Sequence, residues 1–486
     1  MLKKRIITLA VTLISSQGLA EPVIHKVAVR EKLEFLESGR VERMDLYYPA
    51  DPQPGEKFPG IVIIHGGGWT GGIRNAEREI NIGSNLARMG YVCISIDYRL
   101  ATAANVKKYG KIYPVNLQDC KKAVQWLRKH AAELQLDPAK IGTIGGSAGG
   151  HLAALTAVAG PEVGFEPETP YPGIDTSVQA CVNLYGVMDF AGYRSDTAAV
   201  RKSREYVMGC PSTENRKEWL RMSPIEQIDP KDPPMLQLHA RGDTTVNYRQ
   251  AVIMKEELDR NKVYNELVLL GGFGHVFNLQ RWRGKPLPEL VRQRVLAFYD
   301  RFLKGLTPAE SAARFAALKA FEKKHPEAAW YGISTVTAGT IEKADEKEIT
   351  VTLPNGKKVF ETAFDVKLEK AEPADAAALK DQLPVVVQGI FSGKAPVECS
   401  RIFLSSCRPR WLPGRSGILR KTADGWSLAL KNRKKITMHQ LTISDKTELF
   451  TCAPAKMKDL AGLQVIMLLA RDYGDCRKIY YGLFFK

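Results

Sequence analysis

Residues 142–155 read Gly-Thr-Ile-Gly-Gly-Ser-Ala-Gly-Gly-His-Leu-Ala-Ala-Leu: an apolar strand end, a small-residue turn centred on Ser147 and the start of an apolar helix. A serine hydroxyl is a weak nucleophile until it is lifted clear of the backbone beside a base. A sharp strand-to-helix turn does this only where the neighbours lack bulk, and Gly145 and Gly149 supply that lack. Glycines ahead of a helix also cradle phosphate groups. Neither G-x-G-x-x-G nor G-x-x-x-x-G-K-[ST] fits residues 145–150, because Ser147 stands where a glycine is required and no lysine follows.

Upstream, Gly60–Ile64 reads as a short buried strand that runs into His65-Gly66-Gly67-Gly68-Trp69. Acyl transfer through a tetrahedral intermediate needs donors aimed at the developing oxyanion, and a run of glycines can turn its amides inward without obstruction. The oxyanion hole is assigned to the backbone amides of Gly66 or Gly67 with that of Ala148. The competing reading is a glycine-rich turn that merely packs a tryptophan.

With the turn and the glycine loop in place, the chain resembles α/β-hydrolases of the esterase and lipase superfamily. The similar branch contains hormone-sensitive-lipase-like esterases, acetylxylan esterases and bacterial feruloyl-esterase-like enzymes. The resemblance is carried by Ile94-Ser-Ile-Asp-Tyr-Arg-Leu100, Tyr113-Pro114 with Asp119, Leu136-Asp-Pro-Ala-Lys-Ile-Gly142, the Ser147 turn, and Ser223-Pro-Ile225 before Pro233-Pro234. It covers roughly residues 40 to 305. The turn begins Gly-Gly-Ser where hormone-sensitive-lipase relatives usually have Gly-Asp-Ser, which points to the carbohydrate-esterase side.

The resemblance implies a triad completed after the serine, acid first and histidine second. Met235–His239 reads as a strand followed by Ala-Arg-Gly-Asp243, which puts Asp243 in the loop where the family carries its acid. Asp189, past the strand-like run Cys181–Tyr185, is the alternative acid. The strand-like run Glu266–Leu270 leads into Gly-Gly-Phe-Gly-His275, a glycine loop able to present an imidazole, so His275 is the expected base. His65, His151 and His239 are read as structural. Catalysis then needs Ser147, His275 and Asp243, with no cofactor and no metal.

These residues imply an α/β-hydrolase fold, a mostly parallel sheet flanked by helices, over residues 21–306. Val291–Leu303 is expected to be its last helix. A helical linker is expected over 307–331, including an amphipathic helix from Ala309 to Lys324. Residues 332–486 turn strand-like, with a hairpin signalled by Asn355-Gly356, and read as one or two small β barrels or rolls. Several stretches there resemble oligonucleotide-binding-like barrels appended to exported bacterial proteins, with gripping a sugar polymer and spacing as the two roles such a barrel could take.

Residues 1–20 read as a secretory signal: Met-Leu-Lys-Lys-Arg, an apolar stretch from Ile6 to Ile14 too short to span a bilayer, and small residues at 18 and 20. An exported protein, periplasmic or extracellular, without a membrane span is expected. Eight cysteines permit disulfides; Cys93 and Cys181 fall in strand runs as plain buried thiols, while Cys399, Cys407, Cys452 and Cys476 could pair among themselves. No CxxC spacing suggests zinc. The formal charge of +17 favours anionic partners at low salt. An ester substrate fits an exported triad enzyme and nucleic acid does not; the basic charge reads either as a plain solvated surface or as suited to an ester borne on an acidic polysaccharide. The basic, helix-like segment 191–231 is a candidate cap over the pocket. The alternatives are a peptidase of the same fold and a carbohydrate-binding protein without turnover; acyl length and oligomeric state stay open.

Overall fold

The computed structural model describes residues 22–192, 198–275 and 289–326 and, over most of 331–485, the backbone of the strands. In chain order the first region comprises β1 (Val27–Leu33), β2 (Met44–Pro49), β3 (Phe58–Ile64), α1 (Glu77–Arg88), β4 (Val92–Ile96), α2 (Ala103–Tyr109), α3 (Val115–Lys129) and β5 (Leu136–Gly146). There follow α4 (Ala148–Val158), β6 (Ala180–Leu184), α5 (Ala198–Met208), α6 (Arg216–Arg221), β7 (Met235–Ala240), α7 (Arg249–Arg260), β8 (Asn265–Leu270), α8 (Glu289–Lys304) and α9 (Pro308–Lys324).

Eight strands form one sheet in the order β1-β2-β4-β3-β5-β6-β7-β8. β1 and β2 pair antiparallel, and every pairing from β4 to β8 is parallel. This is the α/β-hydrolase fold. β3 is buried on both faces, which explains why it reads as an unbroken apolar run rather than an alternation. Its side chains still divide with period two. Val62 and Ile64 join the core under α3 and α4, with Leu117, Val124 and Leu152. Ile61 and Ile63 join the opposite core with Ile80 and Leu86 of α1 and Phe298 and Tyr299 of α8. Each such fully buried aliphatic side chain stabilises by about 1.5–3 kcal/mol.

The carboxyl ends of β3, β5, β7 and β8 open on one edge of the sheet, with β6 between β5 and β7, where open parallel sheets collect their chemistry. The residues singled out in the sequence leave the sheet at these ends.

The helix expected as a linker is docked on the first region. α9 starts at a capping box between Thr307 and Glu310 and places Phe315 and Leu318 in the core beside α8. Arg292 of α8 makes a two-pronged pair with Glu322 at 2.7 and 3.0 Å, and Arg314 donates to the Met89 carbonyl. Cys93, Cys120, Cys181 and Cys210 carry free thiols; Cys407 and Cys476 lie outside the described residues, as do the side chains of Cys399 and Cys452. The signal-like residues 1–20 also lie outside them. No helix among the described residues is long and apolar enough to cross a membrane.

The C-terminal region is built of β9 (Tyr331–Val336), β10 (Thr340–Ala344), β11 (Glu348–Leu353), β12 (Gly356–Pro373), β13 (Pro384–Ile390) and β14 (Val397–Phe403). It continues with β15 (Arg415–Thr422), β16 (Gly425–Asn432), β17 (Lys435–Thr442), β18 (Glu448–Pro454), β19 (Gln464–Tyr473) and β20 (Arg477–Phe485). The β11/β12 hairpin falls where Asn355-Gly356 signalled it, with Leu353 opposite Gly356. Two rings of five strands close: β10-β11-β12-β20-β19 and β13-β14-β17-β16-β15. β18 bridges them through β12 and β14.

Candidate active site

Ser147 follows β5 directly and precedes α4. Its backbone sits at φ 58°, ψ −121°, a conformation that costs a non-glycine residue on the order of 1–3 kcal/mol and persists only where the surroundings impose it. They do so here. A Cβ on Gly145 would lie 2.2 Å from the Gly149 carbonyl oxygen, and one on Gly149 would lie 2.1 Å from that of Ile64. The end of β5 therefore approaches α4 and β3 as closely as backbone allows, and the chain turns through Ser147. The Ser147 amide donates to the Leu184 carbonyl at 2.9 Å, tying the turn to β6.

His275 stands at the end of the glycine loop after β8, and its Nε2 lies 3.0 Å from Ser147 Oγ. Its Nδ1 lies 2.7 Å from Asp243 Oδ2. A carboxylate only accepts, so Nδ1 carries the proton and Nε2 is the lone-pair nitrogen facing the serine hydroxyl. Asp243, past β7, spends its other oxygen on the amides of Thr245 and Val246 at 2.8 and 2.9 Å. Burial alone would raise its carboxyl, yet hydrogen bonds from His239, His275 and the Val246 amide hold it well below the usual carboxylate range. It stays anionic.

His239, read as structural, touches this array. Its Nε2–H donates to the Val246 carbonyl at 2.8 Å and lies 3.2 Å from Asp243 Oδ2. Asp189 is elsewhere: its Oδ1 accepts from the Gly192 amide at 2.6 Å and closes a turn.

The glycine loop after β3 lies against the Ser147 turn. A Cβ on Gly66 would meet the Gly146 carbonyl at 2.6 Å and Ser147 Cβ at 3.4 Å. His65 Nδ1–H donates to the Gly66 carbonyl at 2.7 Å, which in a trans peptide turns the Gly67 amide the opposite way. The Gly67 carbonyl is taken by the amides of Thr70 and Gly71 at 3.2 and 3.0 Å. Ala148 opens α4, where amides have no partner within the helix. None of the turn and loop backbone hydrogen bonds among the described residues is donated by Gly66, Gly67 or Ala148.

Trp69 anchors this loop: its Nε1–H donates to His151 Nδ1 of α4 at 3.3 Å. His151 Nε2–H in turn donates to the Met222 carbonyl at 2.7 Å. Above the loop, Ser203 of α5 comes within 3.7 Å of a Cβ built on Gly68, so the basic segment expected as a cap does border the site. Two residues with no sequence signal complete the surroundings. Arg78, in the first turn of α1, donates through Nη1 to the Tyr185 hydroxyl at 3.0 Å. The Tyr185 ring meets the His275 imidazole at 5.0 Å between centroids.

Residues 44–258 match the family model BD-FAE. Among curated relatives, a probable carboxylic ester hydrolase, LipM of Mycobacterium tuberculosis, is 32% identical over 221 residues, 45% of this chain and 49% of its own. Esterase LipC of the same organism is 31% identical over 265 residues, 52% and 62% of the two chains. The matched stretch thus spans about half to three fifths of these relatives. Among solved structures, Thermogutta terrifontis esterase 2 is 27% identical over 59% of this chain and 97% of its own, with a TM-score of 0.46. Over its sheet-and-helix region, the chain resembles feruloyl-esterase-like and hormone-sensitive-lipase-like serine esterases of the α/β-hydrolase superfamily.

Proposed function

We propose that this protein is a serine esterase that hydrolyses carboxylic esters through an acyl-enzyme, with Ser147 as nucleophile, His275 as base and Asp243 as its orienting acid. The observation that carries it is the unbroken hydrogen-bonded line Asp243–His275–Ser147 beside a glycine loop. His275 Nε2 takes the hydroxyl proton as Ser147 Oγ attacks the ester carbonyl, and the ion-paired Asp243 stabilises the imidazolium that forms. The developing oxyanion is met by the amides of Gly67 or Gly66 and of Ala148, each such donor contributing about 10²- to 10³-fold in rate. The imidazolium then protonates the leaving alcohol, and a water activated by the same base cleaves the acyl-enzyme.

The relatives' names, carboxylic ester hydrolase and esterase, support the reaction class. Short acyl or feruloyl groups on a polysaccharide are the proposed substrates, in keeping with the Gly-Gly-Ser turn. An open cleft of about 580 Å³ beside α5 carries Arg201, Lys202 and Tyr206 together with Glu205, two cations and an aromatic ring against one carboxylate, a lining that can take a glycan. The signal-like N-terminus supports export. The hydrolase region, expected over residues 21–306, is proposed to extend through α9 to Lys324, with 332–486 as the β-rich one.

A panel of acetyl, feruloyl and longer-chain esters set beside an aminoacyl anilide tests the proposal. Turnover of acetyl or feruloyl esters with no anilide cleavage is expected. Preferential anilide cleavage would make the protein a peptidase of the same fold, and no turnover of any substrate would favour the binding-protein reading.

A further inference from the structure

His275 is carried on Gly271-Gly-Phe-Gly274; among the described residues a Cβ on Gly271 or Gly272 would meet nothing within 4 Å, while Phe273 packs against the core. The glycines lend the segment little stiffness of its own. Asp243 fixes one ring nitrogen of His275 but leaves rotation about that hydrogen bond free. A second support is needed to aim Nε2 at Ser147, and among the described residues the ring packed on the imidazole is that of Tyr185.

Tyr185 is itself firmly held. It is fully buried, it follows β6 at φ 45°, and its amide donates to the Leu238 carbonyl at 2.9 Å. Its ring stands at 69° to the His275 imidazole, an edge-type arrangement favoured between aromatic rings. Its hydroxyl accepts from Arg78 Nη1, and Arg78 Nε donates to Glu79 Oε1 at 2.8 Å. A guanidinium binds two partners in a fixed fork, which a lysine cannot do. The pair also underlies the Ser147 turn. A Cβ on Gly146 would lie 2.6 Å from Arg78 Nη1 and 2.8 Å from the Tyr185 hydroxyl, and one on Gly66 would lie 3.4 Å from Arg78 Nη2. A cation this enclosed is costly unless paired, and a neutral side chain could fill the space.

We propose that Arg78 and Tyr185 are positioning residues of the hydrolytic reaction: Arg78 fixes the Tyr185 ring, and that ring fixes the tilt of the His275 imidazole toward Ser147. The inference rests on the triad reading above. Misplacement of a reacting group by about 1 Å can cost roughly 10²-fold, so the effect belongs on kcat and not on substrate affinity.

The test compares Tyr185→Leu, Tyr185→Phe, Arg78→Gln and Arg78→Lys in the full chain, with p-nitrophenyl acetate as substrate and circular dichroism to verify folding. Tyr185→Leu should lower kcat by about 10- to 100-fold with KM within about twofold, on the same misplacement argument. Tyr185→Phe, which keeps the ring but loses the Arg78 hydrogen bond, should fall between Tyr185→Leu and wild type, at about the level of Arg78→Gln. Arg78→Gln should lower kcat by about 10-fold, and Arg78→Lys should rescue it only in part, since it keeps the charge without the fork. A folded Tyr185→Leu with wild-type kcat, a loss expressed in KM alone, or a Tyr185→Phe as impaired as Tyr185→Leu would overturn the proposal. If Tyr185→Leu does not fold, the Phe and Arg78 variants decide it. A readout independent of turnover is the downfield proton resonance of His275 Nδ1–H on Asp243. It should broaden in Tyr185→Leu and persist in Tyr185→Phe; an unchanged signal in Tyr185→Leu contradicts the proposal even if the protein cleaves no ester. Absent turnover with the expected broadening would sink the esterase reading and leave the positioning contact standing.

Discussion

The indole Nε1 of Trp69 donates to Nδ1 of His151, 82 residues away, at 3.3 Å. Because His151 Nε2–H is committed to the Met222 carbonyl, Nδ1 is the bare nitrogen, and the contact exists only while the imidazole is neutral. Burial keeps it so, pushing His151 down from the ordinary 6.5 to about 4. The glycine loop is thus locked to the helix behind Ser147 by a histidine that refuses a proton.

This lock predicts a stability profile. Between about pH 6.5 and 4 the unfolded chain takes up a proton that folded His151 does not. The stabilisation is therefore complete above the unfolded value and is lost as pH falls through this window, a swing of about 3 kcal/mol for a displacement of this size. Asp45, raised by burial to about 6, titrates in the same window with the opposite sign, so the histidine is read as a difference. Urea midpoints at pH 7.5 and 4.5 should show that His151→Gln is destabilised at the higher pH and closes most of the gap at the lower one. A constant gap would mean that His151 does not titrate this way.

Asp243→Asn keeps the loop shape but offers His275 Nδ1 an amide in place of a carboxylate. The wrong tautomer is then favoured and the imidazolium loses its partner, for a loss of about 10⁴ in kcat. Asp189→Asn should stay within a few-fold of wild type, since Asp189 closes a local turn on Gly192. Both are to be measured on one acetyl ester; the reverse ranking would put the acid on the earlier strand.

Truncation separates α9 from the strands that follow it. A chain ending at residue 326 keeps the Arg292–Glu322 pair and the Phe315 and Leu318 contacts, and should stay folded and cleave p-nitrophenyl acetate. A chain ending at residue 306 strips α9 from the apolar faces of α1 and α8 that Phe315 and Leu318 cover, and should be insoluble or markedly less stable. Equal behaviour of the two truncations would show that α9 is not part of the hydrolase core.

The elements that backbone sterics dictate were legible in the sequence. Gly145 and Gly149 must be glycine because β5, α4 and β3 touch through bare backbone, so the turn around Ser147 is written in residue types. Asp243 and His275 were reachable through strand ends and the chain order that the family resemblance implies, and the Asn355-Gly356 hairpin through turn chemistry. Arg78 was not, because Glu77-Arg78-Glu79 reads as an exposed charged turn until the start of α1 docks beside the Ser147 turn. Tyr185 looked like the end of a buried strand, and nothing local says that its ring faces an imidazole from β8. His239 had a weak signal in its four-residue spacing from Asp243. The linker reading of α9 missed that its aromatic and aliphatic side chains had a partner helix to cover.

The central claim is that Ser147 is the nucleophile, and the direct measurement is kcat of Ser147→Ala against wild type on p-nitrophenyl acetate, with circular dichroism to verify that the substitution leaves the fold intact. Removal of one hydroxyl from a turn held by its glycine neighbours should leave the protein folded and lower kcat by about 10⁴ to 10⁶. A folded variant that keeps a tenth of wild-type turnover would contradict the account.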